Sequence, residues 1–296
     1  MLAAYVKLIR PKQWIKNLFV FAPLIFAKGL FEAELFTLAC KAFVTFCLTA
    51  SAVYIINDIA DIEADRAHPE KKTRPLASGL MTRWNALGML GVLLTTDVLI
   101  LIGMDIHFVV ILSIYFVINL AYSFKLKEVV LLDVFIIAAG FMLRVLGGAY
   151  VIAVPISSWL VLCSLFISLF MGFAKRRGEL VQVNERGGVT KRKVLTKYRV
   201  DFLDQMLTIT AAGTVISYAL YTVAPRTLEI FKTEKLVYTT VFVIYGVFRY
   251  LFLIHTTRAT ENPTNAVTSD IPILGTGFLW VASCIILIYA RGHIFP

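Results

Sequence analysis

Charge is what this chain is short of. Its 296 residues include 29 Lys and Arg and 19 Asp and Glu, 16% of the total, against 59% hydrophobic residues and a mean hydropathy of +0.79. A soluble domain carries about a quarter of its residues charged. Uncharged runs long enough to cross a bilayer recur from one end to the other, which excludes a water-soluble enzyme on a single anchor and a disordered chain. Cysteine is scarce as well: Cys40, Cys47, Cys163 and Cys284 all fall in apolar runs, spaced like neither a zinc site nor a redox pair, and read as small core residues. His68, His107 and His255 have no metal-ligand pattern, although His68 could help to position the loop around it. No Gly-rich nucleotide loop, tandem repeat or low-complexity tract is present, and nothing points to a nucleic-acid partner. The stretch MLAAYVKLIRPKQW is too charged for a cleaved signal peptide and reads as an amphipathic interfacial helix over 1–13, stopped by Pro11.

What is present is a set of membrane spans. A helix needs about 20 mostly apolar residues to cross the hydrocarbon core. Nine segments qualify, at roughly 14–31, 35–57, 84–104, 106–123, 131–152, 156–173, 202–224, 236–254 and 272–290, forming one integral membrane domain over 1–296. The expected fold is therefore all-α, a polytopic bundle of nine transmembrane helices, with polar loops at 58–83, 123–130 and 174–201. The net charge of +10 is unevenly spread: 21 of the 29 Lys and Arg lie on the side of the N-terminus and the even-numbered loops, five on the other side and three within spans. By the positive-inside rule the N-terminus and those loops are cytoplasmic and the C-terminus is outside.

The second span ends in Asn57-Asp58-Ile-Ala-Asp61-Ile-Glu-Ala-Asp65-Arg66. Asp58, Asp61 and Asp65 are spaced i, i+3, i+7, so a continuous helix places three carboxylates on one stripe with Asn57 one turn from Asp61. All-oxygen ligands of this kind suit Mg²⁺, with Mn²⁺ as the alternative, bridging carboxylates to substrate phosphates. A solvated helix end neutralised by Arg66 and Arg74 is the competing reading, and placement at the bilayer boundary beside a basic loop favours function. Lys71, Lys72 and Arg74 follow at once, cations of the sort that hold a diphosphate leaving group beside a metal.

NDIADIEAD at 57–65 matches the pattern NDxxDxxxD, and with RPLASG at 74–79 it resembles the first aspartate motif and loop of the UbiA superfamily of intramembrane prenyltransferases. That resemblance implies a helical bundle around a central cavity, Mg²⁺-bound diphosphate at its cytoplasmic mouth and a lipid chain entering from the side. Most members carry a second acidic motif, DxxxD, after the sixth span. This chain instead has Lys175-Arg176-Arg177-Gly178-Glu179, which exchanges metal-mediated for direct phosphate binding. The exchange is similar to the decaprenyl-phosphate (polyprenyl-phosphate) phosphoribosyltransferase branch, whose substrates are phosphoribosyl pyrophosphate and a polyprenyl phosphate. RPKQWIKN at 10–17, His68-Pro69-x-Lys71-x-x-Arg74-Pro75, Tyr122-Ser123-x-x-Leu126-Lys127 with Asp133, and Gly140-Phe141-x-Leu143-Arg144 support the branch.

The resemblance implies roles residue by residue. Asp58, Asp61 and Asp65 would hold Mg²⁺, with Asn57 orienting the diphosphate and Lys71, Lys72 or Arg74 stabilising departing pyrophosphate. Lys175, Arg176, Arg177 and Glu179 would take the ribose 5-phosphate or sugar hydroxyls, and Lys12 or Lys16 the lipid phosphate, two assignments that could be exchanged. Tyr122 and Lys127 would add phosphate contacts. Arg144 lies three turns beyond Asp133 on the same face, facing a polar cavity either as a phosphate ligand or in a structural ion pair with another span. Asp97 and Lys41 read as structural or interfacial, and Lys191-Arg192-Lys193 as a headgroup or topology signal. The expected setting is a bacterial plasma membrane, compatible with a homo-oligomer, and the product would supply cell-wall arabinan. An ordinary prenyltransferase shares the first motif but requires the second; a transporter explains the spans but not the acidic stripe.

Overall fold

A computed structural model describes residues 2–67, 71–185, 193–256 and 269–289. His68, Lys191 and Arg192 lie outside the described residues. Every regular element among those described is helical. The helices are α1 (Leu2–Ile9), α2 (Ala22–Phe26), α3 (Ala33–Ala60), α4 (Ile62–Arg66), α5 (Arg83–Leu101), α6 (Ile106–Phe124), α7 (Leu132–Val151), α8 (Ser158–Glu185), α9 (Val200–Val223), α10 (Pro225–Phe231), α11 (Thr240–Thr256) and α12 (Ile271–Tyr289). Eight segments of the described chain are long and apolar enough to span: α3, α5, α6, α7, α8, α9, Lys235–Thr256 and α12. The protein is an integral, multi-pass membrane protein.

The first expected span, 14–31, takes another form. Arg10 adopts φ 53°, Pro11 opens a 3₁₀ helix over Pro11–Phe21, and α2 completes the segment. Eleven 3₁₀ residues rising about 2.0 Å each and five α residues rising about 1.5 Å extend about 30 Å, the thickness of the hydrocarbon core. Hydropathy marks this stretch as apolar but is blind to the helix type. The expected loop at 174–201 also starts late, because α8 runs on to Glu185.

The contacts group into two compact units, Met1–Leu126 with Leu143–Pro155, and Lys127–Met142 with Ile156–Pro296. In the first unit, Val20, Leu24, Phe46, Phe108, Leu112 and Tyr115 form one buried cluster and Leu8, Ile55, Ile62, Leu76 and Met81 another. Gly148 of α7 lets the 3₁₀ segment pass backbone against backbone: a Cβ there would sit 2.0 Å from the Val20 carbonyl oxygen. Asn17, fully buried in that segment, donates to Cys47 Sγ (3.1 Å) and accepts from Arg144 Nε (2.6 Å), while Trp14 Nε1 donates to Ser51 Oγ (3.0 Å). These bonds hold a 3₁₀ run far longer than the usual three or four residues. α5 and α6 start on side-chain caps, Thr82 accepting from Asn85 N–H and Asp105 from His107 and Phe108 N–H. In the second unit, Val134, Ala138, Phe170, Phe173, Leu203, Leu207 and Tyr250 make the core.

Candidate active site

The RPLASG stretch at 74–79 folds as a tight turn. Ser78 N–H bonds the Arg74 carbonyl and Met81 N–H the Pro75 carbonyl, each within 3.1 Å, and Gly79 takes φ 78°, a conformation that glycine adopts without steric cost. Leu76 and Ala77 are buried, which anchors the turn and aims Arg74 back at α3 and α4. There Arg74 Nη1 lies 3.0 Å from Asp58 Oδ1 and 2.6 Å from Asp65 Oδ2. Arg10 reaches the same Asp58 oxygen from the N-terminal segment, Nη2 to Oδ1 at 2.5 Å, with its guanidinium 4.8 Å from the centre of the Tyr54 ring. Both carboxylates are almost wholly buried.

The three-carboxylate stripe is therefore not a stripe of one helix. α3 ends at Ala60, Asp61 breaks the run, and α4 restarts at Ile62, so Asp58 and Asp65 meet while Asp61 sits half-buried at the corner. Among the described residues no three Asp, Glu, His or Cys converge as a complete metal cage. What converges is two hard oxygen donors on one cationic point, the position of Arg74 Nη1. That donor set fits a divalent cation whose remaining ligands are water and substrate oxygens, the usual habit of Mg²⁺. Asn57 is half-buried on the last turn of α3, and Lys71 and Lys72 are exposed on a 3₁₀ turn over Lys71–Thr73. Lys12 is exposed and Lys16 half-buried in the 3₁₀ segment, and Tyr122 is half-buried near the end of α6.

Arg144 is buried in the first unit, Nη2 donating to Tyr115 Oη (2.7 Å) and Nε to Asn17 Oδ1 (2.6 Å). Asp133, in the second unit, is buried against Arg176, whose Nε donates to its Oδ2 at 2.5 Å. The Lys175–Glu179 run is helical rather than a loop, so its side chains divide by face. Arg176 points inward, fully buried, and bridges Asp133 to Glu179 Oε2 at 2.8 Å. Arg177 is held by Asp204 Oδ1 (2.5 Å) and the Ile254 carbonyl (3.0 Å). Lys175 and Glu179 remain partly exposed, with Lys175 Nζ 4.0 Å from Glu179 Oε1. Lys127 is half-buried on a 3₁₀ turn over Leu126–Glu128. Asp97 is buried on α5 and accepts from the Thr49 hydroxyl at 2.5 Å, a structural contact.

Sequence reasoning passed over Arg10, Asn17, Tyr115 and Tyr198 as site residues. Arg10 stands in RPKQWIKN beside Lys12 and Lys16, and nothing local to that stretch marks it as the partner of Asp58, 48 residues on. Tyr198 gives no local signal: its hydroxyl donates to Asp133 Oδ1 (2.7 Å) and accepts from Leu131 N–H (2.8 Å), partners 65 and 67 residues away.

The chain is similar to known proteins. Over 225 residues the chain is 39% identical to the decaprenyl-phosphate phosphoribosyltransferase of Mycolicibacterium smegmatis, covering 75% of this chain and 70% of that one. It is 35% identical to the protein of the same name from Mycobacterium tuberculosis, covering 75% and 74%. A UbiA homolog from Archaeoglobus fulgidus, solved with DMAPP and Mg²⁺, superposes with a TM-score of 0.70 at 17% identity, over 96% of this chain and 98% of that one, and so shares its fold. The family model of the UbiA prenyltransferases matches residues 18–266, and with that match the helical architecture and the Asp58 motif have one owner: the chain belongs to the UbiA prenyltransferase family.

Proposed function

We propose that the protein transfers the 5-phosphoribosyl group of phosphoribosyl pyrophosphate to decaprenyl phosphate, or a similar polyprenyl phosphate, giving polyprenylphosphoryl-5-phosphoribose and pyrophosphate with inversion at C1. The observation that carries this reading is the Lys175–Glu179 turn of α8. Where a prenyltransferase needs two carboxylates for a second metal, this helix offers one carboxylate and one lysine at the surface, with Arg176 consumed inside. A lysine beside a glutamate suits a sugar phosphate, which brings an anion and hydroxyl donors together. The relatives named decaprenyl-phosphate phosphoribosyltransferase support the same substrates.

Asp58, Asp65 and Asp61 would hold Mg²⁺, which supplies charge neutralisation for the diphosphate. Arg74 and Arg10, which pair with Asp58 in this structure, would turn from it to the oxygens of the leaving pyrophosphate once the cation takes their place, with Lys71 and Lys72 at its outer edge. Asn57 orients that group. Lys175 takes the 5-phosphate and Glu179 accepts hydrogen bonds from ribose hydroxyls. Lys12 and Lys16 hold the lipid phosphate, with Tyr122 and Lys127 adding contacts. As the C1–O bond to pyrophosphate breaks, a lipid phosphate oxygen forms the new bond from the opposite face. A phosphate monoester is anionic near pH 7, so no general base is required. The reaction takes place at the cytoplasmic face, where the surplus of Lys and Arg collects.

Purified protein with Mg²⁺, labelled phosphoribosyl pyrophosphate and decaprenyl phosphate tests the reading. A labelled lipid product is expected, and chelation of the metal abolishes it. Prenyl transfer from a prenyl diphosphate with no use of the sugar donor overturns it.

A further inference from the structure

Tyr198 belongs to a short chain of hydrogen bonds that ends at the carboxylate just assigned to the sugar. Its hydroxyl is fixed twice, by the Leu131 N–H at 2.8 Å and by Asp133 Oδ1 at 2.7 Å. Asp133 Oδ2 fixes Arg176 Nε, and Arg176 Nη1 fixes Glu179 Oε2 at 2.8 Å. Three of these four side chains are buried, Asp133 and Arg176 completely and Tyr198 to 5% exposure, while Glu179 alone is half-buried and reaches the surface. Burial also pushes the Tyr198 phenol up, and the hydrogen bond to Asp133 adds to it, so the hydroxyl keeps its proton at every working pH.

We propose that Tyr198 is a positioning residue: through Asp133 and Arg176 it sets the direction of the Glu179 carboxylate, and so sets discrimination for the ribose hydroxyls of the donor. This rests on the reading above of Glu179 as the hydroxyl acceptor. The physical basis is the shape of the arginine. A guanidinium is a rigid planar fork, so holding its Nε on Asp133 fixes where Nη1 points, and Nη1 fixes one of the two oxygens of Glu179. The other oxygen, Oε1, lies nearest Lys175 and is turned with it. Asp133 alone could pivot about its own side-chain torsions; the tyrosine removes that freedom from the second oxygen. The connection is long in sequence and short in space, linking the segment before α7, the charged end of α8 and the turn before α9.

The test compares donors with and without one sugar hydroxyl. Wild type, Tyr198→Phe, Glu179→Gln and the double variant are assayed with phosphoribosyl pyrophosphate and with its 2-deoxy and 3-deoxy analogues. Tyr198→Phe is expected to raise KM for the donor roughly tenfold with kcat little changed, and to lose roughly tenfold of the preference for the full ribose over at least one deoxy analogue, the scale of one hydrogen bond to a charged group. The double variant is expected to discriminate no worse than Glu179→Gln alone, because the tyrosine acts through the glutamate. Additive losses, or unchanged discrimination in a well-folded Tyr198→Phe, overturn the proposal. A tyrosine that only stabilised the fold would lower the melting temperature and leave the donor preference intact. If Tyr198→Phe does not purify as a monodisperse species, Asp133→Asn goes through the same comparison, since it keeps a partner for the tyrosine and loosens Arg176. No transfer from phosphoribosyl pyrophosphate by the wild type sinks the donor reading itself, whereas transfer with unaltered preference sinks only the role of Tyr198.

Discussion

Arg10 and Arg74 end on the same oxygen of Asp58, and a carboxylate oxygen buried that deeply needs such partners. The two arginines do not have equal standing, because Arg74 also bridges to Asp65 and Arg10 does not. Asp58→Asn should reduce turnover by about 10²–10³, the usual effect of one charge-stabilising group, in protein that still inserts and purifies. Arg10→Ala should cost about 10²-fold in kcat with a smaller change in lipid-phosphate KM, read from initial rates against both substrates. Arg144 should behave differently. Its guanidinium is buried against Asn17 and Tyr115, so Arg144→Met should cost about 1.5–3 kcal/mol for the lost charged hydrogen bonds, seen as a lower melting temperature in detergent, while the folded fraction keeps its KM values. A selective rise in one KM would identify it as a phosphate ligand instead. At this scale the sequence made Asp58 and Arg74 legible, because they lie in one short motif. Arg10 and Asp133 were visible only as members of motifs, since their partners are 48 and 43 residues away in the chain.

Elements were legible where apolarity and helix coincide. α5, α6, α7, α9 and α12 fall close to the expected spans. The reading failed where the two part company. The expected span 14–31 is not one α-helix: it opens inside the 3₁₀ helix Pro11–Phe21, whose own Asn17 bonds to α3 and α7. Lys175–Glu185 is polar enough for a loop, yet it is helical, carried by pairs at i+3 and i+4 around Glu179. Hydropathy reports the solvent a segment meets, not its hydrogen bonding. The 3₁₀ segment gives a sharp prediction at Gly148. An added methyl would meet the Val20 carbonyl, backbone that cannot swing aside, so Gly148→Ala should cost about 1–3 kcal/mol or more and lower the melting temperature in detergent, whereas Gly91→Ala, with nothing within 4 Å, should not.

For the whole molecule, the scarcity of charge located the spans and the uneven distribution of cations set the expected orientation. That orientation predicts that a cysteine at Lys72 is labelled by an impermeant thiol reagent only after the cells are opened, and one at Lys232 in intact cells; the reverse pattern inverts the topology. The family and the helical architecture were readable at this scale because NDxxDxxxD and the spans are local signals. The division into two compact units was not, since one of its three boundaries falls inside α7, between Met142 and Leu143, where the sequence shows no break.

The 28 residues of α8 give it a length of about 42 Å, some 12 Å more than the hydrocarbon it crosses. Counted upright from Ser158, Lys175 and Glu179 stand about 26 and 32 Å along the axis, at the level where fatty chains give way to headgroups. A lipid phosphate already floats at that height. For the proposed reaction, an acceptor phosphate at that height would come level with these two side chains by lateral diffusion within the sheet, without being lifted out of the leaflet.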